Sequence, residues 1–328
     1  MNNESLDLSL EEFEQLLGQS SKLVINQYQG LNEKKAYHDF TQAEVESWFD
    51  EPLPSDGKSN SELLEEVRKK VLATATNNLG PHMYGYVMSG GNQVSTVAEL
   101  LATTINQNAT KWHLAPAISE IEKRVIRWTT EMIGYAPDAG GVLVSGGSAA
   151  NLTGLTVARN IFFEKKNIKQ EGLFGQKPFV VYASDQVHSC VDKSVQILGI
   201  GLKHLRKIPT DDQFKIDTRA LEEQINQDIK NDLTPFCLIG TAGTVNTGAI
   251  DNLSELARLA KKYEMWYHID GAYGALASVL DSAKESYHGM AEADSIALDF
   301  HKWLYQPFEA GCTLVRDWSS LRRTYFSQ

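Results

Sequence analysis

The stretch Ser295-Ile296-Ala297-Leu298-Asp299-Phe300-His301-Lys302-Trp303 decides the reading of this chain. Its first half is a short run of small and apolar residues, the pattern of a buried strand, and a histidine and a lysine stand just beyond its end. Upstream, Trp266-Tyr267-His268-Ile269-Asp270-Gly271-Ala272-Tyr273-Gly274 repeats the arrangement, with an apolar run closed by an aspartate and then by small residues. A lysine in that place, taken alone, is an ordinary solvated side chain. Its neighbours in the sequence change that reading.

Working outward, further apolar runs occur at Val142-Leu143-Val144, Phe179-Val180-Val181-Tyr182, Phe236-Cys237-Leu238-Ile239 and from Cys312 to Val315. Helical spacing fills the gaps. Ile118, Ile121, Val125, Trp128 and Met132 mark one helix face that stops at Gly134, and a helix is expected from about Ala149. Another opens at Asp251, read as its N-cap, with Leu253, Leu256, Ala260 and Tyr263 on one face. Alternating strands and helices predict an α/β fold with a mostly parallel sheet flanked by helices. Ligands of such sheets gather at the carboxyl ends of strands. Before this region the pattern is helical, with Leu10, Phe13, Leu16 and Leu17 on one stripe. A Pro- and Gly-containing break follows at 51–57, then a helix through Leu63, Leu64, Val67 and Val71. The expected organisation is an N-terminal helical arm over 1–78 and a large α/β domain over 79–328.

The chain has 328 residues, of which 42% are apolar and 22% charged, enough to bury a sizeable core. A net charge of −11 argues against a phosphate-backbone binder, so no nucleic-acid partner is expected. The first residues (Glu4, Asp7, Glu11, Glu12, Glu14) are acidic and carry no secretory pattern, and no apolar run reaches membrane-spanning length. Cys190, Cys237 and Cys312 are scattered, and the eight histidines show no metal-ligand spacing. A cytoplasmic protein with no metal and no membrane association is expected.

The candidate site residues follow the strands. Val144-Ser145-Gly146-Gly147-Ser148-Ala149-Ala150-Asn151 is a strand-to-helix turn whose amides at Gly147 and Ser148 can hold an anion, although a glycine-rich turn also serves as a plain turn. His188 stands past a strand in Ser184-Asp185-Gln186-Val187-His188, placed either as a structural histidine or to stack on a flat ring and carry a proton. In Gly240-Thr241-Ala242-Gly243-Thr244, Thr241 can donate to a ligand edge or belong to a polar loop. Lys302 can form a Schiff base with an aldehyde cofactor, Asp270 can keep a ring nitrogen protonated, and Ala272 is small enough for a ring to lie against it. HExxH and GxSxG patterns are absent.

Taken together, these motifs resemble the pyridoxal-phosphate-dependent group II amino-acid decarboxylases, including the aromatic-amino-acid decarboxylases. The resemblance runs from Pro81-His82 through Ala115-Pro116-Ala117-Ile118-Ser119-Glu120, the Gly-Gly-Ser turn, Asp185-Gln186-Val187-His188 and His268-Ile269-Asp270-Gly271-Ala272 to His301-Lys302-Trp303. It implies a fold-type I large domain in a homodimer that exchanges its N-terminal helices, with pyridoxal 5'-phosphate on Lys302. Asp270 would face the pyridine nitrogen, with His188 and Ala272 on the two ring faces. Gly147, Ser148 and His301 would hold the phosphate, Thr241 would sit at the ring edge, and His82 and Tyr84 would meet the substrate. The implied reaction is decarboxylation of an L-amino acid to the amine and CO₂. A carbon–carbon lyase, an aldehyde synthase and a cofactor-binding protein without turnover stand as alternatives.

Three features depart from the family pattern. Asp299 stands where animal relatives often carry Asn near the phosphate, and an acid there has to face away or be paired. Asn108-Ala109-Thr110-Lys111 replaces apolar side chains ahead of Trp112, which points to a substrate smaller or more polar than a free aromatic amino acid. Relatives also continue into a catalytic loop and a small C-terminal domain, whereas this chain ends at Thr324-Tyr325-Phe326-Ser327-Gln328, so that domain is expected to be absent from it.

Overall fold

The apolar runs pair into one seven-stranded sheet, seen in a computed structural model that describes residues 7–326. Glu4, Ser327 and Gln328, quoted above, lie outside the described residues. The chain divides between Gly90 and Gly91 into two compact units.

In the first unit, three helices each start at a capping box, where a Ser or Thr side chain and a Glu three residues on satisfy each other's backbone amides. They are Leu10–Tyr28, Gln42–Ser47 and Asn60–Glu66, capped by Ser9 with Glu12, Thr41 with Glu44, and Ser59 with Glu62. The last continues as a π-helical turn, Val67–Leu72. The stripe read from the sequence on the first helix stays exposed at Leu10, Phe13 and Leu17.

The second unit holds the sheet. Its strands are β1 (Gly140–Val144), β2 (Phe179–Ser184), β3 (Leu205–Ile208), β4 (Thr234–Thr241), β5 (Trp266–Asp270), β6 (Ser295–Asp299) and β7 (Gly311–Val315). Their order across the sheet is β1-β7-β6-β5-β4-β2-β3. Pairings from β6 across to β3 are parallel, while β7 runs antiparallel to both β1 and β6. Every residue of β2, β6 and β7 is buried, as expected where helices cover both faces. One core packs Leu238, Ile269 and Ile296 against Leu253 and Leu256, and the other packs Val181, Phe236 and Ile239 against Leu155 and Phe163.

This topology brings the carboxyl ends of β1, β2, β4, β5 and β6 to one edge, together with the start of β7. Short β3 escaped the sequence reading because Leu205-Arg206-Lys207-Ile208 carries two charges in four residues. The helix after the glycine turn starts at Gly147, two residues ahead of the expected Ala149. Asp251 is not the N-cap of the next helix. Asn252 takes that role by accepting from the Glu255 amide, and Asp251 is buried at 2% exposure.

The helix Gly147–Phe162 lies so close to β5 that Gly154 has no room for a side chain. A Cβ built there would come within 2.7 Å of His268 Cε1 and 3.1 Å of Nδ1. The imidazole is held on both sides and cannot retreat. Gly154→Ala is therefore expected to destabilise the fold by about 1–3 kcal/mol through overpacking, outweighing the helix-propensity gain of about 1 kcal/mol. Denaturant unfolding would register this as a lower midpoint at unchanged slope.

Candidate active site

Eight of the ten site residues expected from the sequence line one cavity of about 290 Å³ at the carboxyl edge of the sheet: Gly147, Ser148, His188, Thr241, Asp270, Ala272, His301 and Lys302. The other two, His82 and Tyr84, belong to the first unit. His82 Nε2 is 3.0 Å from the Asn32 carbonyl, and Tyr84 is 91% exposed.

Asp270 ends β5 at 5% exposure. Its Oδ1 accepts from Asn151 Nδ2 at 3.1 Å and from the Ala272 amide at 3.3 Å. Lys302 sits in the short turn Phe300–Trp303 that follows β6. Its Nζ lies 3.0 Å from Asp299 Oδ2, and His301 Nε2 lies 3.6 Å from the same oxygen. The doubt over Asp299 resolves as a pairing: the acid faces inward against the lysine. Burial raises its pKa, with the Lys302 ammonium pulling the other way. Burial also lowers the pKa of His301, whose Nδ1 accepts from the Ala310 amide so that the ring proton belongs on Nε2. By the same logic His188 Nδ1 accepts from the Cys190 amide and leaves Nε2 as its donor.

Could these residues hold pyridoxal phosphate? Three observations bear on its fit. The helix Gly147–Phe162 has no side-chain cap at Gly146, so the first-turn amides are open to an anion. A Cβ on Gly147 would fall 2.6 Å from Asp299 Oδ2 and 2.9 Å from the Ala272 Cβ, so a glycine is what keeps that cradle open. Thr241 Oγ1 and Asp299 Oδ1 are fully buried and, among the described residues, have no hydrogen-bond partner. Unsatisfied buried polar atoms are costly, and a polar ligand edge would complete them. The donor set suits a phosphorylated, aldehyde-bearing aromatic ring.

The pyridoxal-dependent decarboxylase conserved domain matches residues 43–327. The chain belongs to that family. Pyridoxal phosphate is accordingly its cofactor. Among curated relatives, an aromatic-L-amino-acid decarboxylase of Bacillus atrophaeus is 37% identical over 98% of this chain, and a histidine decarboxylase of Drosophila melanogaster is 30% identical over 97%. The chain spans 65% of the first relative's length and 39% of the second's. Among solved structures, the glutamate decarboxylase domain of a Vibrio parahaemolyticus diaminobutyrate-pyruvate transaminase and L-2,4-diaminobutyrate decarboxylase superposes with a TM-score of 0.90 at 28% identity, covering 98% of this chain and 70% of that one. A 4-hydroxyphenylacetaldehyde synthase of Rhodiola rosea gives 0.86 at 26%, covering 97% and 68%.

Sequence reading missed Asn151, which reaches Asp270 from one turn into the glycine-turn helix, and the Asp299–Lys302 pair. It also missed Asp251, whose oxygens accept from the amides of Ile216 and Thr241, each at 2.8 Å, and so fix the strand end that carries Thr241. Burial pushes that carboxyl from its ordinary 3.8 up to about 6. Between those values the folded protein binds a proton that the unfolded chain has already lost. This group's share of stability therefore falls as pH rises from about 4 to about 6, by at most roughly 1.4 kcal/mol per pH unit. Asp251→Asn is expected to remove that slope, as read by urea unfolding at several pH values across the window.

Proposed function

We propose that the chain is a pyridoxal-phosphate-dependent carboxy-lyase that acts on an L-amino acid to give the amine and CO₂. The reading rests above all on the Lys302 amine and the Asp270 carboxylate meeting at one cavity, beside the open amino end of the helix Gly147–Phe162. Membership of the decarboxylase family supports it.

In this reading Lys302 is the covalent attachment point, and it must present a neutral amine. Asp299 Oδ2, 3.0 Å away, takes up the ammonium proton, which the burial of that carboxyl favours. Pyridoxal phosphate, when bound, supplies an aldehyde that condenses with amines and a ring that takes up the electron pair left when CO₂ departs. The Asp270 carboxylate would face the ring nitrogen and favour its protonated form. His188 and Ala272 would lie on either side of the ring, and the His188 Nε2–H would be available for proton transfer. Gly147 and Ser148 would hold the phosphate by their amides and the Ser148 hydroxyl, with His301 Nε2 beside them. The Thr241 hydroxyl completes its unmet bond at the ring edge. His82 and Tyr84 meet the substrate, an assignment supported by the family resemblance alone.

The partner is a second copy of the chain. Val94, Val97, Leu101 and Ile105 leave an apolar face of the helix Gln93–Ile105 open, and covering such a face is a reason to associate. The helical arm at 1–78 would be exchanged in that dimer. No helix among the described residues is long and apolar enough to cross a membrane. The proposed location is cytoplasmic.

The test is reconstitution with pyridoxal phosphate, followed by product analysis on a panel of amino acids. CO₂ and amine are expected, whereas aldehyde and ammonia would favour the reaction named for the Rhodiola relative. Lys302→Ala should lose the borohydride-reducible cofactor adduct altogether. Asp270→Asn should weaken cofactor binding by about tenfold or more, the equivalent of one pKa unit of lost charge stabilisation.

A further inference from the structure

Behind Asp270 lies a chain of hydrogen bonds that the reading above does not use. Trp266 Nε1 is 2.9 Å from Ser295 Oγ, and Ser295 Oγ is 2.7 Å from His268 Nδ1. His268 Nε2 is 2.9 Å from Asn151 Oδ1, and Asn151 Nδ2 reaches Asp270 Oδ1 at 3.1 Å. His268, Asn151 and Ser295 are all at 0% exposure. His268 and Asp270 are two apart on β5 and share a face of the sheet.

The bonds can be oriented from the two ends once the imidazole is neutral. An indole N–H can only donate, so Ser295 Oγ accepts from Trp266 and its single hydrogen is left to give away. At the other end a carboxylate can only accept, and the Asn151 amide nitrogen also donates to the Gly147 carbonyl at 2.9 Å. The Asn151 NH₂ therefore faces Asp270, and its carbonyl oxygen faces His268. That oxygen needs a donor, so His268 carries its proton on Nε2. In a neutral ring Nδ1 is then bare and receives the Ser295 hydroxyl. Burial agrees with this neutral form, since it pushes the imidazole pKa down to about 4.

We propose that His268 is a positioning residue: its Nε2–H fixes the orientation of the Asn151 amide, and through it holds the Asp270 carboxylate aimed at the position of the cofactor ring nitrogen. Without that donor the Asn151 amide can rotate and turn its oxygen toward the carboxylate, replacing attraction with repulsion. Both hydrogen bonds of Asp270 go to Oδ1, which leaves Oδ2 for the ligand. The role assigned to His268 rests on the proposed function of Asp270, while its protonation state does not.

The first test uses the chain without cofactor. With ¹⁵N-labelled histidine, NMR should show one imidazole locked as the Nε2–H tautomer and not titrating from pH 5 to 8, its signal assigned by its loss in His268→Gln. An Nδ1–H tautomer or an ordinary titration overturns the proposal. Asn151→Ala removes the acceptor and should move that signal. The second test is pyridoxal phosphate affinity, read by quenching of intrinsic fluorescence. His268→Gln, whose amide N–H can replace Nε2–H, should bind within about threefold of the unaltered chain, whereas His268→Leu and Asn151→Ala should each bind roughly tenfold more weakly. Equal losses in His268→Gln and His268→Leu would mean that the ring serves only to fill space, and would overturn the proposal. If His268→Leu does not fold, Asn151→Ala against His268→Gln decides. If the unaltered chain binds no cofactor, the proposed function falls, and the tautomer signal alone decides the relay.

Discussion

The burial of a carboxylate at the end of β5 is the constraint on which the rest of this structure depends. Asp270 is 5% exposed, and a buried anion is tolerated only where donors meet it. The chain just beyond its own strand supplies one, the Ala272 amide. The other comes from Asn151, which requires the helix Gly147–Phe162 to cross the sheet at close range. That approach explains the glycines: Gly154 where the helix passes over His268, and Gly147 where it faces Asp299 and Ala272. The same helix offers its open amino end to the cavity. Satisfying one carboxylate and building an anion cradle are thus two results of a single packing decision.

Two acids stand on neighbouring strand ends in different surroundings. Asp270 is met by two neutral hydrogen-bond donors. Asp299 is buried beside Lys302 and His301, with one oxygen left unmet, and the charge on Asp270 adds to its reluctance to ionise. Surroundings this different suit the two carboxyl groups to different work. Asp270 suits a fixed charge. Asp299 suits a group that gains and loses a proton next to an amine.

Most of the sheet was legible in the sequence because strands such as β2, β6 and β7 are buried on both faces and so read as apolar runs. Edge strand β3 is charged and short, and it was invisible for that reason. The lysine, the aspartate and the glycine turn were legible because each interrupts a local pattern: polar residues after apolar runs, glycines before a helix. Asn151 and Ser295 interrupt nothing, since a small polar residue on a buried helix or strand face looks like any other. Only the register of β5 against β6, which sets His268 opposite Ser295, gives them meaning. Asp251 misled for a related reason. Asp-Asn ahead of an apolar helix supplies two acceptable caps, and which one turns inward is decided by the amides of Ile216 and Thr241, distant in sequence.

The groups behind Asp270 are all uncharged, and this has a consequence for the ring nitrogen in front of it. A lysine or arginine in place of Asn151 would hold the carboxylate more strongly. It would also cancel much of its field, since two opposite charges in contact present a dipole to anything beyond them. Amide, imidazole, hydroxyl and indole dipoles pointing the same way orient the carboxylate without neutralising it. The full negative charge then remains on the side that faces the cavity. A neutral His268 is therefore part of the design rather than incidental: an imidazolium there would weaken the one interaction that Asp270 is placed to make.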